Sequence, residues 1–111
     1  MTTRETQPDL SPGDQKYHLF FESLANRSRM EILSSLKRGP KCVKELAHDL
    51  GRERSSVSHA LRELLRCNLV FVNKKGRKRV YKLNDDTLEP LLELVDAHER
   101  KYCNECVKLL N

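Results

Sequence analysis

The sequence lacks the features of a membrane, secreted or catalytic protein. None of its apolar runs is long enough to cross a bilayer, and no charged segment followed by an apolar one forms an export leader. It also lacks a nucleophile placed with a base and an orienting acid, and it lacks a glycine-rich phosphate loop. We therefore expect a cytoplasmic protein that has no membrane partner and is not an enzyme.

Size and cysteine content narrow the class further. A chain of 111 residues is enough for one domain with a modest core, and a second subunit could help to bury the apolar residues near its ends. Without a secretory signal, the four cysteines are expected to be thiols and not a disulfide framework. The net charge of +5 is mild, so its location matters more than its size.

Helical spacing of apolar residues dominates the first two thirds of the chain. Residues 1–14 are polar and contain two prolines, which predicts a disordered N-terminal arm before a folded domain over residues 15–111. Asn26 is a good helix cap, and the pair Gly39-Pro40 is a breaker. The pattern predicts helices over Gln15 to Leu24, from Asn26 to Leu36, over Val43 to Leu50 and, after Gly51, over Arg54 to Arg66.

The remainder of the chain predicts a hairpin and a last helix. Leu69 to Val72 is β-prone, residues 73–78 supply a glycine-containing turn, and Arg79 to Leu83 alternates polar with apolar residues. Asp86, with Glu89 three residues on, resembles a capping box that opens a long amphipathic helix. The predicted fold class is mainly α with a small β-hairpin, in the order of a winged helix-turn-helix.

The fourth predicted helix has a polar outer face suited to reading DNA. A helix-turn-helix places one helix in the major groove while the other braces it, and small hydroxyl residues allow close approach to phosphates. An ordinary solvated helix face is the alternative for this segment alone. The predicted groove contacts are Arg54, Ser55, Ser56, Ser58, His59 and Arg62.

The hairpin tip concentrates positive charge. Five of the six residues from Lys74 to Arg79 are cationic, and such crowding is unfavourable unless the site faces an anion. Lysines that keep an edge hairpin soluble are the alternative. Because the basic hairpin directly follows a helix-turn-helix, we predict phosphate contacts from Lys74, Lys75, Arg77, Lys78 and Arg79.

Several segments together resemble one family. The segment FESLANRSRMEIL, beginning at Phe21, resembles the F-x-x-L-A-(N/D)-x-x-R-x-x-I-L opening of the ArsR/SmtB family of winged-helix repressors. Ser55 to Leu61 is similar to the family's recognition-helix pattern S-x-V-S-x-H-L, and Gly76 to Leu83 resembles its wing. The resemblance implies a homodimer held by the first and last helices and an operator of two-fold symmetry. It also implies repression that is relieved by an effector, often a metal ion or arsenite.

The family's known ligand patterns match only in part. One family site uses C-V-C-D-L at the start of the third helix; here Cys42 fits the first ligand, but Lys44 replaces the second. Cys42 also stands where a helix cap is expected, with Glu45 placed as in a capping box. Asp96-Ala97-His98 matches half of a second family site, whose other half is missing, so these residues are expected to be surface or interface polar groups.

Cys103 and Cys106 form the remaining candidate for an effector site. Spacing of i, i+3 on one helix places their Cβ atoms roughly 5–6 Å apart, too far for an unstrained disulfide but suitable for a thiophilic ion such as arsenite, zinc or cadmium. A redox switch is the second interpretation, and packing of Cys106 in a dimer core is the third. Cys67 is expected to serve packing.

The sequence thus predicts a DNA-binding transcriptional regulator, a repressor by resemblance, that needs no cofactor and can respond to an ion or to thiol oxidation. Two other classes share the same fold. One is a ligand-independent or architectural DNA-binding protein, and the other is a winged helix that binds proteins.

Overall fold

The computed structural model describes residues 11–103, with five helices and one antiparallel hairpin. This confirms the predicted class, mainly α with a small β-hairpin. Within the described range, no helix is both long and apolar enough to span a bilayer. The elements are α1 (Pro12–Leu24), α2 (Arg27–Leu36), α3 (Val43–Leu50), α4 (Arg54–Arg66), β1 (Val70–Lys75), β2 (Lys78–Leu83) and α5 (Asp85–Tyr102).

Capping residues determine where the first two helices begin. The Ser11 hydroxyl accepts a hydrogen bond from the Asp14 N–H (3.2 Å), and a proline stands in the first turn, where its missing N–H is harmless. Helix α1 therefore starts before the predicted Gln15, and residues 12–14 belong to the helix and not to the predicted arm, of which residues 1–10 lie outside the described range. The Asn26 side chain caps α2 by accepting from the Arg29 N–H (3.0 Å), as predicted.

The core forms where α2, α3 and α4 meet the base of the hairpin. Helices α2 and α4 supply its centre with side chains that are at most 1% exposed. Leu69 and Val70, which connect α4 to β1, are buried to the same extent. Helix α5 closes one side through Leu88 near its start. The fully buried apolar side chains are Ile32, Leu33, Leu46, Val57, Leu61, Leu64, Leu69, Val70 and Leu88.

The hairpin is longer and its turn tighter than the sequence pattern predicts. Strand β1 continues to Lys75 and β2 begins at Lys78, so only Gly76 and Arg77 form the turn. Gly76 has φ 66°, a left-handed value that glycine adopts without the steric penalty of a side chain. The predicted turn over residues 73–78 was therefore too wide, because a two-residue glycine turn allows pairing up to the tip.

Both ends of α5 differ from the prediction. The helix begins at Asp85 after Asn84, whose carbonyl accepts the first helical bond from the Leu88 N–H (2.9 Å), so the predicted capping box at Asp86 was wrong. It ends at Tyr102, and Cys103 has non-helical angles (φ −125°, ψ 42°). The predicted continuous helix through Cys103 is therefore wrong, and Cys106 lies outside the described residues.

Candidate nucleic-acid interface

Helices α3 and α4 pack together around a tight glycine turn. Gly51 adopts the left-handed conformation (φ 63°, ψ 38°), and the Arg52 N–H returns to the Ala47 carbonyl (3.0 Å), which closes the end of α3. Leu46 of α3 and Val57 of α4 are both buried beneath this turn. The two helices therefore form the rigid unit that a helix-turn-helix requires.

An ion-pair cluster ties this turn to α2. The Arg52 Nε lies 2.8 Å from Glu31 Oε1, and the Arg27 Nε lies 3.4 Å from Glu31 Oε2. The hydrogen bond from Arg52 is the main reason that the pKa of Glu31 is lowered. Sequence analysis missed this cluster: Arg27 and Glu31 are only four residues apart on α2, but no local pattern links Glu31 with Arg52.

The polar face of α4 points away from the core, as predicted. Val57, Ala60, Leu61 and Leu64 are buried on the opposite face. Ser58 is half-buried, and it lines a cleft together with residues of β2. The predicted groove contacts that are exposed are Arg54, Ser55, Ser56, His59 and Arg62.

All five cations of the wing tip are exposed, and the strand register places like charges opposite each other. Lys74 pairs with Arg79, and Lys75 pairs with Lys78, while Arg77 occupies the turn. Like charges directly across an antiparallel pair destabilise it, unless an anion neutralises them. The geometry therefore favours an anionic partner over simple solubilisation of a hairpin edge.

A cleft of about 910 Å³ joins the start of α3, the middle of α4 and the wing. Ser58 lines it together with Lys78 and Arg79, so a predicted groove residue and two predicted phosphate contacts share one surface. Lys44 and His48 of α3 line it as well, and sequence analysis did not identify them. Both are exposed and polar on an amphipathic helix, which is the signal that could have found them.

Cys42 caps α3 inside the same cleft. Its backbone N–H donates to the Glu45 carboxylate (2.9 Å), which confirms that half of the predicted capping box. This backbone hydrogen bond is the main cause of the lowered pKa of Glu45. The half-buried Cys42 thiol thus lies beside the candidate DNA surface.

The other candidate thiols lie elsewhere. Cys103 is half-buried directly after α5, and Cys67 is exposed at the end of α4, so packing does not explain Cys67. Among residues 11–103, no three His, Cys, Asp or Glu side chains are grouped so that they could hold a metal ion. An ion bound at Cys103 would need a ligand from outside residues 11–103, such as Cys106, or from a second subunit.

These features define a winged helix-turn-helix DNA-binding protein. The family model of the arsR family of bacterial regulatory proteins matches residues 26–71. Structural comparison agrees: Rv0081 of Mycobacterium tuberculosis superimposes with a TM-score of 0.79 at 26% identity, covering 88% of this chain and 99% of that one. The solution structure of apo-NmtR gives a TM-score of 0.70 at 35% identity, over 89% of this chain and 83% of that one.

Curated relatives extend the match beyond the helix-turn-helix. The regulator NmtR of Mycobacterium tuberculosis is 43% identical over 69% of this chain, and the match spans 64% of NmtR, less than two thirds of its length. The SmtB homolog of Synechocystis is 36% identical over 86% of this chain and 74% of its own. The arsenical resistance operon repressor of Bacillus subtilis is 35% identical over 83% and 90%. The chain belongs to the arsR family, and it is a DNA-binding transcriptional regulator, not an enzyme.

Proposed function

We propose that this protein is a dimeric repressor that reads operator DNA with α4 and grips the backbone with the wing. The observation that carries the proposal is the shared cleft, where Ser58 of α4 lies with Lys78 and Arg79 of the hairpin. One duplex can therefore meet both elements at once. Two of the relatives described above are named as repressors, which supports the direction of regulation.

Each group of side chains has a chemical role in this proposal. Arg54, His59 and Arg62 are long enough to reach base edges in the major groove, where arginine recognises guanine by paired hydrogen bonds. Ser55, Ser56 and Ser58 are short and donate to phosphates, which allows α4 to approach closely. The wing supplies the sequence-independent part of the affinity through Lys74, Lys75, Arg77, Lys78 and Arg79.

The two terminal helices support a homodimer. Tyr17 and Phe21 of α1 are 57% and 56% exposed, and Leu94 and Tyr102 of α5 are 68% and 67% exposed. Large apolar side chains at this exposure favour burial against a second copy, at about 25 cal/mol per Å² of apolar surface. A two-fold dimer would bind two half-sites roughly 34–36 Å apart, one turn of duplex.

A thiophilic ion, with arsenite, zinc and cadmium as the candidates, is the proposed effector. Cys103 and Cys106 are the proposed ligands because soft thiolates suit such ions, and Cys42 is a second, separate candidate. Cys103 follows the helix that would form the dimer interface, so an ion held there can favour one arrangement of the two subunits over another. Oxidation of the same thiols would alter the same end of α5, and it would therefore influence the arrangement of the two subunits in the same way.

Capture of genomic fragments tests the proposal. The protein should retain a small set of fragments that contain an inverted repeat, and added ion or oxidant should release them from wild type. A Cys103→Ser/Cys106→Ser variant should retain the same fragments and fail to release them. Retention without any release would indicate a ligand-independent DNA-binding protein, and no retention at all would indicate a winged helix that binds proteins.

A further inference from the structure

One polar network connects the wing to the helix-turn-helix, and it is centred on Lys41, in the segment between α2 and α3. The Lys41 side chain is only 17% exposed, and its ammonium lies 2.8 Å from Asp49 Oδ2 of α3. It also lies 2.7 Å from the Ser35 hydroxyl and 2.9 Å from the Ser35 carbonyl oxygen of α2. An ammonium has three N–H donors, so these three acceptors use all of them.

This saturation separates Lys41 from the other cations of the cleft. Lys41 lines the same cleft as Lys78 and Arg79, which suggests at first sight another phosphate contact. Its three donors already have protein acceptors, and the Asp49 carboxylate neutralises its charge at 2.8 Å. A phosphate could bind Lys41 only after this network had opened. The charge of Lys41 therefore stabilises the contact between α2 and α3 and is not available to DNA.

The main chain of Lys41 holds the wing. Its N–H donates to the Tyr81 carbonyl (3.0 Å), and the Tyr81 N–H donates to the Lys41 carbonyl (2.8 Å). Tyr81 is 7% exposed and belongs to β2, two positions after Arg79. Lys41 thus joins α2 and α3 through its side chain and β2 through its backbone.

The burial of the network makes it sensitive to loss of one member. Ser35 is 0% exposed, and removal of the Lys41 ammonium would take one partner from its hydroxyl and one from its carbonyl. The hydroxyl would keep its bond to Asp49 (3.3 Å), and the carbonyl would keep its bond from the Arg38 N–H (3.2 Å). Buried polar groups that lose a partner destabilise their surroundings more than the net value of the bond suggests. Loss of the ion pair with Asp49 would also free the segment that carries Lys41 from α3, and β2, which is bonded to that segment, would move with it.

We propose that Lys41 is a positioning residue for DNA binding, which sets the position of the wing relative to α4 and contributes no phosphate contact itself. The inference rests on the proposed function, since it concerns the same interface. Its distinctive consequence is coupling: loss of Lys41 should weaken binding through the cations of the wing, so that its effect becomes smaller when some of those cations have already been removed.

A double-mutant cycle tests this coupling. The probe is a labelled duplex enriched from random-sequence DNA by the wild-type protein. Lys41→Met should weaken binding by about 2- to 30-fold in the wild-type background. In an Arg77→Ala/Arg79→Ala background, the same change should weaken binding by a smaller factor, because only the contacts of Lys74, Lys75 and Lys78 remain to be disturbed. An equal loss in both backgrounds would overturn the inference, because Lys41 would then act independently of the wing.

Arg52→Met is the matched control. Arg52 forms an ion pair of the same length, 2.8 Å, but it ties α2 to the turn before α4 and not to the wing. Its effect should therefore add to that of the wing variant. Asp49→Asn is the milder companion of Lys41→Met, since it removes only a charge, and it should give a smaller loss with the same coupling.

Hydrogen exchange gives a readout that does not require DNA. The Tyr81 amide should exchange faster in Lys41→Met than in wild type, and Arg52→Met should leave it unchanged. Unchanged exchange in Lys41→Met would refute the positioning role even if DNA binding fell. If the wild-type protein enriches no duplex, the proposed function fails. If it binds DNA but the double-mutant cycle is additive, only the positioning role of Lys41 is rejected, and the proposed function stands.

Discussion

Charge at the wing tip provides the most quantitative test of the DNA interface. Each phosphate neutralised by a cation contributes about 0.9 to the slope of log affinity against log salt, through release of counterions. Arg77→Ala/Arg79→Ala removes two exposed cations from each wing. A dimer with both wings on the duplex would lose up to four contacts, so the slope should become shallower by up to about 3.6.

The assay is fluorescence anisotropy with a labelled duplex between about 50 and 200 mM salt. Between these two salt concentrations, the ratio of the wild-type affinity to the variant affinity should fall by up to roughly 100-fold, which is the change that a slope difference of four contacts gives. Lys37→Ala/Arg38→Ala is the control: it removes the same charge from exposed positions outside the cleft, at the end of α2. An unchanged slope in the wing variant, or an equal change in the control, would refute phosphate contact by the wing.

Stability of the free protein separates this effect from damage to the fold. Arg79 lies directly opposite Lys74, and removal of one cation relieves a like-charge pair. The wing variant should therefore unfold at the same temperature as wild type or higher. A lower unfolding temperature would mean that the lost affinity reflects a disturbed hairpin.

Three further predictions concern the core, the turn and the dimer. Leu64→Ala, at a position 0% exposed, should lower the free energy of unfolding by about 2–5 kcal/mol in urea titrations. The lowered pKa of Glu31 means that its pairing with Arg52 stabilises the fold above the ordinary value of 4.5 and is lost as pH falls through the lowered value. The urea midpoints of wild type and Glu31→Gln should therefore converge as pH falls below 4.5. Phe21→Glu and Val95→Glu should each yield a monomer in sedimentation, while circular dichroism stays unchanged.

The sequence predicted the helix-turn-helix well because its signals are local. The bounds of α3 and α4 match the prediction, since amphipathic spacing and one left-handed glycine at Gly51 define them. Asn26 likewise fixed the start of α2 with a single side-chain hydrogen bond. In each case the residues that determine the boundary lie within one helical turn of it.

The sequence predicted poorly where distant groups decide the geometry. Helix α5 begins at Asp85 because Asn84 is held by its side chain to the Asn68 carbonyl (2.9 Å), a contact that no helix pattern encodes. The Lys41 network joins segments that are separate in sequence and meet only in the folded chain. The candidate contacts of Lys44 and His48 depend on the same assembly, since the cleft exists only once α3 lies beside β2.

The hairpin shows how a destabilised tip can persist in a stable fold. Its buried residues lie in the half near the base, whereas the tip is exposed: Val70 and Leu83 pair across the base at 0% and 5% exposure, and the cations at the tip face solvent. Apolar burial at the base and the backbone bonds between Lys41 and Tyr81 therefore offset repulsion at the tip. This division gives base and tip separate roles, because changes at the base act on stability and wing position, and changes at the tip act on DNA affinity. The hairpin can consequently carry additional positive charge at its tip as long as the repulsion between the cations stays smaller than the stabilisation from the base.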